Sequence, residues 1–271
     1  MPELPEVETS RRGIAPHISG QTVRQVIVRQ QALRWPVPDN LEALLRRRKL
    51  LAVERRGKYL LLVFRHGTLI LHLGMSGSLR IASHNTAVRQ HDHVDLVFSN
   101  RNILRLHDPR RFGCVLWTEQ AISEHRLLAK LGPEPLSADF HGDYLYRLSR
   151  KRSCSVKTFI MNSHIVVGVG NIYASESLFL AAINPKRKAG AISRQRYAAL
   201  ADAIKQVLSA AIEQGGTTLR DFTHEDGQPG YFAQRLYVYG KAGEACQHCG
   251  DTIKQITQQQ RSTYYCRHCQ K

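Results

Sequence analysis

A proline stands second in the chain, directly behind Met1 and ahead of Glu3-Leu4-Pro5-Glu6, so removal of Met1 exposes a secondary amine. With a pKa near that of an ordinary α-amino group, roughly 8, much of this amine is unprotonated near neutral pH, whereas a lysine is not. Attack by a secondary amine on an aldehyde-level carbon gives a cationic iminium directly. Glycosidic cleavage needs an acid and a nucleophile at the anomeric centre, and Glu3 lies beside the amine to serve as the acid. The structural alternative is that Pro5 fills the first turn of a helix and that Glu3 and Glu6 complement its dipole.

Cys246-x-x-Cys249 and Cys266-x-x-Cys269, with sixteen residues between the pairs, have the spacing of two zinc knuckles. Four thiolates fill a tetrahedral shell, so one structural Zn2+ holds the fold and activates no water. Gln258 to Tyr265, between the knuckles, reads as a hairpin turn presenting Arg261, whose guanidinium suits bidentate contact with phosphate. Cys114 and Cys154 are left over as a core residue and an ordinary surface or helix residue. Val167-Gly168-Val169-Gly170-Asn171 sets two glycines before a helix whose first amides can meet an anion, with Asn171 as cap or phosphate donor. His91-Asp92-His93 and His107-Asp108-Pro109-Arg110-Arg111-Phe112-Gly113 bring imidazoles and guanidiniums to strand ends. Alternation along a strand gives His91 and His93 no reason to converge with His107 on a second metal. Arg110 beside Phe112 on a loop tip suits entry into a duplex, one bonding a base and the other stacking. Lys58 follows a glycine turn at a strand start.

These groups need a scaffold. From about 21 to 118 the pattern is of short strands, as in Tyr59 to Phe64 and His93 to Val97, which implies a β-sandwich or barrel. Helices over about 7–14 and 39–48 flank it, the second capped by Asp39. Gly132-Pro133-Glu134-Pro135-Leu136-Ser137 reads as a linker. Beyond it helical periodicity takes over at about 140–150, 172–182 and 193–213. The fold class is α+β, divided as a β-sandwich domain over 1–131, a linker over 132–137, a helical domain over 138–235 and a zinc finger over 236–271.

Lysine and arginine number 39 against 22 acidic residues, a formal net charge of +17 with pI near 10.0, which implies a polyanionic partner. No stretch has the apolar length of a membrane span, and the N-terminus lacks a signal-peptide order, so a cytoplasmic protein with reduced thiols is expected.

Five segments together resemble the formamidopyrimidine-DNA glycosylase family of bacterial base-excision repair enzymes: Pro2 to Glu8, His72 to Gly77, Asp108 to Gly113, Gly168 to Glu176 and the four-cysteine finger. The resemblance runs from Pro2 to Lys271. It implies an N-terminal β-sandwich and a helical half with a helix-two-turn-helix, followed by the zinc hairpin, in a monomer acting on duplex DNA that carries oxidised purines. Pro2 would attack C1′ of the damaged nucleotide, Glu3 would act as the acid, and β- and δ-elimination would cut the strand. Lys58 and Arg261 would serve at the lesion's phosphates, and Met75, Arg110 and Phe112 would fill the gap left by the extruded nucleotide. His91, Arg152 and Asn171 would contact phosphates, Arg152 where a lysine often stands. Glu6, Lys157 and the 217–222 loop would support the lesion pocket. The sister endonuclease VIII branch, which prefers oxidised pyrimidines, shares the proline, glutamate and finger. Leu4 in place of that branch's usual glycine, with fillers divided between Met75 and the Arg110-Phe112 loop, favours the purine branch. A non-catalytic zinc-ribbon DNA-binding protein is the reading from another class.

Overall fold

The structure, a computed structural model, describes residues 2–218 and 236–271. Two compact units emerge, Met1–Ala129 with Ile212–Phe232, and Lys130–Ala211 with Ala233–Lys271.

In the first unit, α1 (Leu4–Ile18) precedes β1 (Val23–Val28), α2 (Leu41–Leu45), β2 (Leu50–Arg56), β3 (Tyr59–Phe64), β4 (Gly67–His72), β5 (Ser78–Ala82), β6 (Asp92–Phe98), β7 (Ile103–His107) and β8 (Cys114–Thr118). The strands form two four-stranded antiparallel sheets, ordered β1-β6-β7-β5 and β2-β3-β4-β8. Val26, Leu60, Leu62, Leu71, Leu96, Leu106 and Val115 meet in the core, with Val7, Ile14 and Ile18 of α1 packed on them. This is the β-sandwich that the alternating pattern implies.

The second flanking helix is shorter than its apolar stripe suggests. Asp39 does not cap it; its carboxylate accepts from Gln31 Nε2 at 2.6 Å, and Asn40 occupies the cap position. The helix stops at Leu45 because Arg47 turns to φ 63° and gives its N–H to Val23 O, while Val23 N–H bonds Arg48 O. Pairing with β1 thus outcompetes another helical turn at 46–48.

The second unit holds α3 (Gly142–Ser149), α4 (Val156–Ile160), α5 (Asn171–Leu180), a 3-10 turn at Ala189–Ala191, α6 (Arg194–Thr218) as far as Ala211, and a hairpin of β9 (Ile253–Gln258) and β10 (Arg261–Cys266). Phe140, Phe159, Tyr173, Tyr197, Leu200, Ile204 and Leu208 form its helical core. The 132–137 stretch bonds into this unit, Gly132 N–H to Ser163 O at 2.8 Å and Val167 N–H to Pro133 O at 3.2 Å. Val238, Cys246, Ile253 and Cys266 pack with Phe179 of α5 in a small separate cluster, so the finger rests on that helix. Among the described residues, no helix is long and apolar enough to cross a membrane.

Candidate nucleic-acid interface and catalytic groups

In the first unit, Pro2 is half-buried and Glu3, at the N-cap of α1, is 2% exposed. Glu3 N–H donates to Glu6 Oε2 at 2.7 Å, which satisfies an orphan amide of the helix start and assigns Glu6 a bracing task. Glu8, one turn further on, accepts from Arg11, Arg12 and Arg55, the last at 3.0 Å. Burial acts to raise the Glu8 pKa, but these three guanidiniums outweigh it and hold the carboxyl at about 2. Arg55 then donates to Gly57 O at 3.1 Å. Gly57 has φ 57° in the two-residue turn between β2 and β3, and Lys58 is the other residue of that turn. The chain Glu8–Arg55–Gly57 therefore joins the helix that starts at Glu3 to the turn that carries Lys58. Glu8 closes the Pro2 to Glu8 segment, but the sequence gives neither it nor Arg55 a role.

Met75, Arg110 and Phe112 come together on two apposed loops. Met75 is 40% and Phe112 44% exposed, and the Arg110 guanidinium lies 4.7 Å from the Phe112 ring centre. Buried Asp108 staples the loops: it accepts from Ser76 Oγ at 3.1 Å on one side and from Gly113 N–H at 2.7 Å on the other. Ser76 Oγ also accepts from Arg110 N–H at 3.3 Å. Gly74 has φ 62°, and a Cβ there would collide with the backbone of Phe112 and Gly113, so only glycine permits this approach. His72 Nδ1 accepts from Gly74 N–H at 3.0 Å. Its burial, with the nearby charges of Lys58 and Arg34, lowers its pKa to about 4 and keeps the ring neutral as that acceptor.

The rings of His91, His93 and His107 gather, with His91 6.1 and 6.0 Å from the other two, although among the described residues the four cysteines are the one group placed to share a metal ion. A shift in register between Asp92 and Val94 accompanies the gathering. The cluster is held by hydrogen bonds, His93 Nε2 with Asp108 O at 2.8 Å and His107 Nδ1 with Asp92 Oδ1 at 3.0 Å. His91 itself takes φ 74° and its carbonyl accepts from Asp108 N–H. Cys114 is buried in β8, where burial raises its thiol pKa to about 12, as befits a core residue.

In the second unit, the turn Gln259-Gln260 has both φ angles positive, 46° and 60°, the primed geometry that matches strand twist. It starts β10 at the exposed Arg261. Arg261 and the exposed Arg152 line one cleft of about 350 Å³ with Lys157, Cys154, Met161 and Gln258. Lys157 is 2% exposed, and its ammonium donates to Asn171 Oδ1 at 2.6 Å, Thr263 Oγ1 at 2.7 Å and Ser262 O at 3.0 Å. Asn171 Nδ2 also donates to Ser262 O at 2.9 Å. Gly170, not Asn171, caps α5, and the Asn171 side chain ties the hairpin to the helix start. Buried Glu176 accepts three successive amides, those of Tyr237, Val238 and Tyr239, and so fixes the chain that leads into the finger. The Lys157 and Glu176 clamps become visible only once the hairpin is placed. The 217–222 loop falls largely outside the described residues.

Cys246, Cys249, Cys266 and Cys269 have all Sγ atoms within 4.8 Å of one another. Four sulfurs at about 2.3 Å from a tetrahedral ion stand about 3.8 Å apart. The separations of 3.9 Å for Cys246–Cys269 and 3.5 Å for Cys249–Cys266 bracket that value, so the cluster fits one structural zinc.

Three family models match the chain. The model of the formamidopyrimidine-DNA glycosylase N-terminal domain matches residues 1–115, that of the H2TH domain of the same family 131–223, and a zinc finger found in FPG and IleRS 243–271. The formamidopyrimidine-DNA glycosylase of Marinobacter nauticus is 59% identical over 271 residues, all of both chains. The chain belongs to the formamidopyrimidine-DNA glycosylase family. Among solved structures, the MutM (Fpg) protein of Thermus thermophilus has TM-score 0.85 at 38% identity, covering 99% of this chain and 98% of its own. Wild-type Lactococcus lactis Fpg, in complex with DNA containing N7-benzyl-Fapy-dG, has TM-score 0.89 at 33% identity with all of both chains covered. As a family member, this chain is a bifunctional DNA glycosylase and AP lyase that removes oxidised purines. It binds damaged duplex DNA and carries the family's β-sandwich, H2TH domain and zinc-finger hairpin.

Proposed function

We propose that Pro2 is the nucleophile and Glu3 the acid of this glycosylase. Once Met1 is removed, the Pro2 nitrogen attacks C1′ of the damaged nucleotide, the bond from C1′ to the base breaks, and a proton from Glu3 lets the sugar ring open. The product is an iminium, whose electron demand acidifies the C2′ hydrogen. Loss of that proton expels the 3′-phosphate, and a second elimination expels the 5′-phosphate. The observation that carries this assignment is the buried Glu3 at the N-cap of α1, next to Pro2. The Glu3 carboxyl accepts the Glu6 backbone N–H in a capping box, which holds it at the helix start beside Pro2.

Lys58, braced through Arg55 and Glu8, supplies a cation beside that chemistry. Arg261 assists the later elimination and, with Arg152, holds backbone phosphates, an assignment supported by the cleft the two share. His91 and Asn171 contact further phosphates. Met75, Arg110 and Phe112 enter the duplex where the nucleotide leaves the stack, with Arg110 toward the orphaned base; their shared platform of exposed tips on a stapled base supports this. The four-cysteine ion shapes the hairpin and supplies no chemistry of its own. The working unit is a cytoplasmic monomer divided at 1–131, 138–235 and 236–271, and its substrate is duplex DNA bearing 8-oxoguanine or formamidopyrimidines.

A panel of lesion duplexes tests the substrate assignment. Excision of 8-oxoguanine opposite cytosine is expected to outrun that of thymine glycol; the reverse order would move the chain to the pyrimidine-preferring branch.

A further inference from the structure

Residues 46–49 read Arg-Arg-Arg-Lys, and all four side chains are exposed. Their backbone is fixed: Arg47 N–H bonds Val23 O, Val23 N–H bonds Arg48 O, and Lys49 bridges to Thr22. Arg24 of β1 and Arg101 in the β6–β7 turn stand with them, and the three elements enclose a cleft of about 660 Å³ lined by Arg24, Gln25, Glu42, Arg46, His84 and Arg101. None of Arg24, Arg46, Arg47, Arg48, Lys49 or Arg101 shares an ion pair with a carboxylate among the described residues. Three of these cations, Arg24, Arg46 and Arg101, line the cleft against the single Glu42, with Arg47, Arg48 and Lys49 on the adjoining chain, and a concave surface mostly of one sign concentrates its field.

The patch is remote from the Arg110-Phe112 loop. Asp108, at the base of that loop, bonds to His91 just before β6, whereas the patch lies at the Phe98 end of the same strand. Seven residues of strand separate the two by about 20 Å. Phe98 is 1% exposed, so the exposed His84 is the one ring that the cleft presents, and its lining is guanidinium rather than a row of stacking platforms. Guanidiniums on a fixed backbone, with a single ring among them, suit the phosphates of a duplex, which carries about one charge per 1.7 Å.

We infer that this face of the β-sandwich is a second contact for duplex DNA, one that holds a separate segment while the first is inspected for damage. Such a contact lets the enzyme pass from one segment to another without full release. It is independent of the residue roles proposed for the lesion site and rests only on the chain's binding of DNA.

The test uses the full chain with two short duplexes, one bearing a lesion and a donor dye, the other undamaged with an acceptor dye. The variant is Arg24→Gln/Arg46→Gln/Arg48→Gln, all at exposed positions. The wild type is expected to bring the dyes together, and the variant to need about tenfold more second duplex to do so, with its log-affinity against log-salt slope flatter by about 0.9 per lost contact. Nicking of the lesion duplex alone should stay within about twofold. A wild type that never joins two duplexes, or a variant that joins them equally well, overturns the inference. Parallel loss of nicking and joining also overturns it, by placing the patch on the track of the lesion duplex. Capture of polyglutamate but not of a second duplex overturns it in favour of an acidic protein partner.

Discussion

The two units hold the groups proposed to meet DNA by different means. In the sandwich, Met75, Arg110 and Phe112 ride on loops whose bases are fixed by Asp108 and by the close approach at Gly74, above a large apolar core. In the helical unit, Arg261 rides on a hairpin with little core of its own, held by the cysteine cluster and by the buried ammonium of Lys157. A small element that cannot bury enough apolar surface needs a metal or a polar clamp, whereas a sandwich can spend its core on holding strained loops. The two interfaces should therefore fail separately.

Zinc removal gives the largest separation. Chelation is expected to abolish DNA binding by unfolding the hairpin, while the sandwich stays folded. Both tryptophans, Trp35 and Trp117, lie in the first unit, so their emission reports that unit alone. Unfolding seen in tryptophan emission at the same chelator concentration would break the contrast. Next, Lys157→Met leaves Asn171 Oδ1, Thr263 Oγ1 and Ser262 O without their charged donor, and should cost about 3 kcal/mol of hairpin docking. Hydrogen exchange of β9 and β10 should rise while that of β6 and β7 is unchanged.

A smaller effect is expected from Asp108→Ala, which frees both loops at a cost of about 2 kcal/mol. The product of that freedom should be a fall of about 30-fold in kcat/KM on lesion duplexes, with hairpin exchange unaltered. The smallest is a pH effect. The folded pKa of His72 is depressed to about 4, so its contribution to stability is present above about 6.5 and is lost as pH falls toward 4. Glu8 follows the same sign lower down: its contribution is present above about 4.5 and is lost toward pH 2. Acid titration by tryptophan emission should show the first loss sharply reduced in His72→Asn, and the second reduced in Glu8→Gln.

What could be read from the sequence divides along the same line. The cysteine spacing, the N-terminal Pro2-Glu3 and the Arg110-Phe112 loop are local patterns, so their chemistry is written within a few residues. The sandwich follows from strand alternation in the same local way. The braces are non-local: Glu8 meets Arg55 47 residues away, and Lys157 meets Thr263 106 residues away. Nothing in the spacing of such residues announces the bond. Of the two tasks the sequence offers Asn171, cap or phosphate donor, the cap falls to Gly170, and the Asn171 side-chain oxygen serves Lys157. The 46–48 helix was likewise overruled by pairing with β1, a partner helical periodicity does not see.

The central claim is that the amine of Pro2 joins the damaged sugar. Borohydride added during reaction with a lesion duplex reduces an iminium to a stable amine, and peptide mapping then locates the adduct. Protein shown by mass spectrometry to lack Met1 is expected to give a covalent adduct at Pro2, and protein retaining Met1 is expected to bind DNA without one. An adduct on a lysine such as Lys58, or full nicking by protein that keeps Met1, would contradict the account.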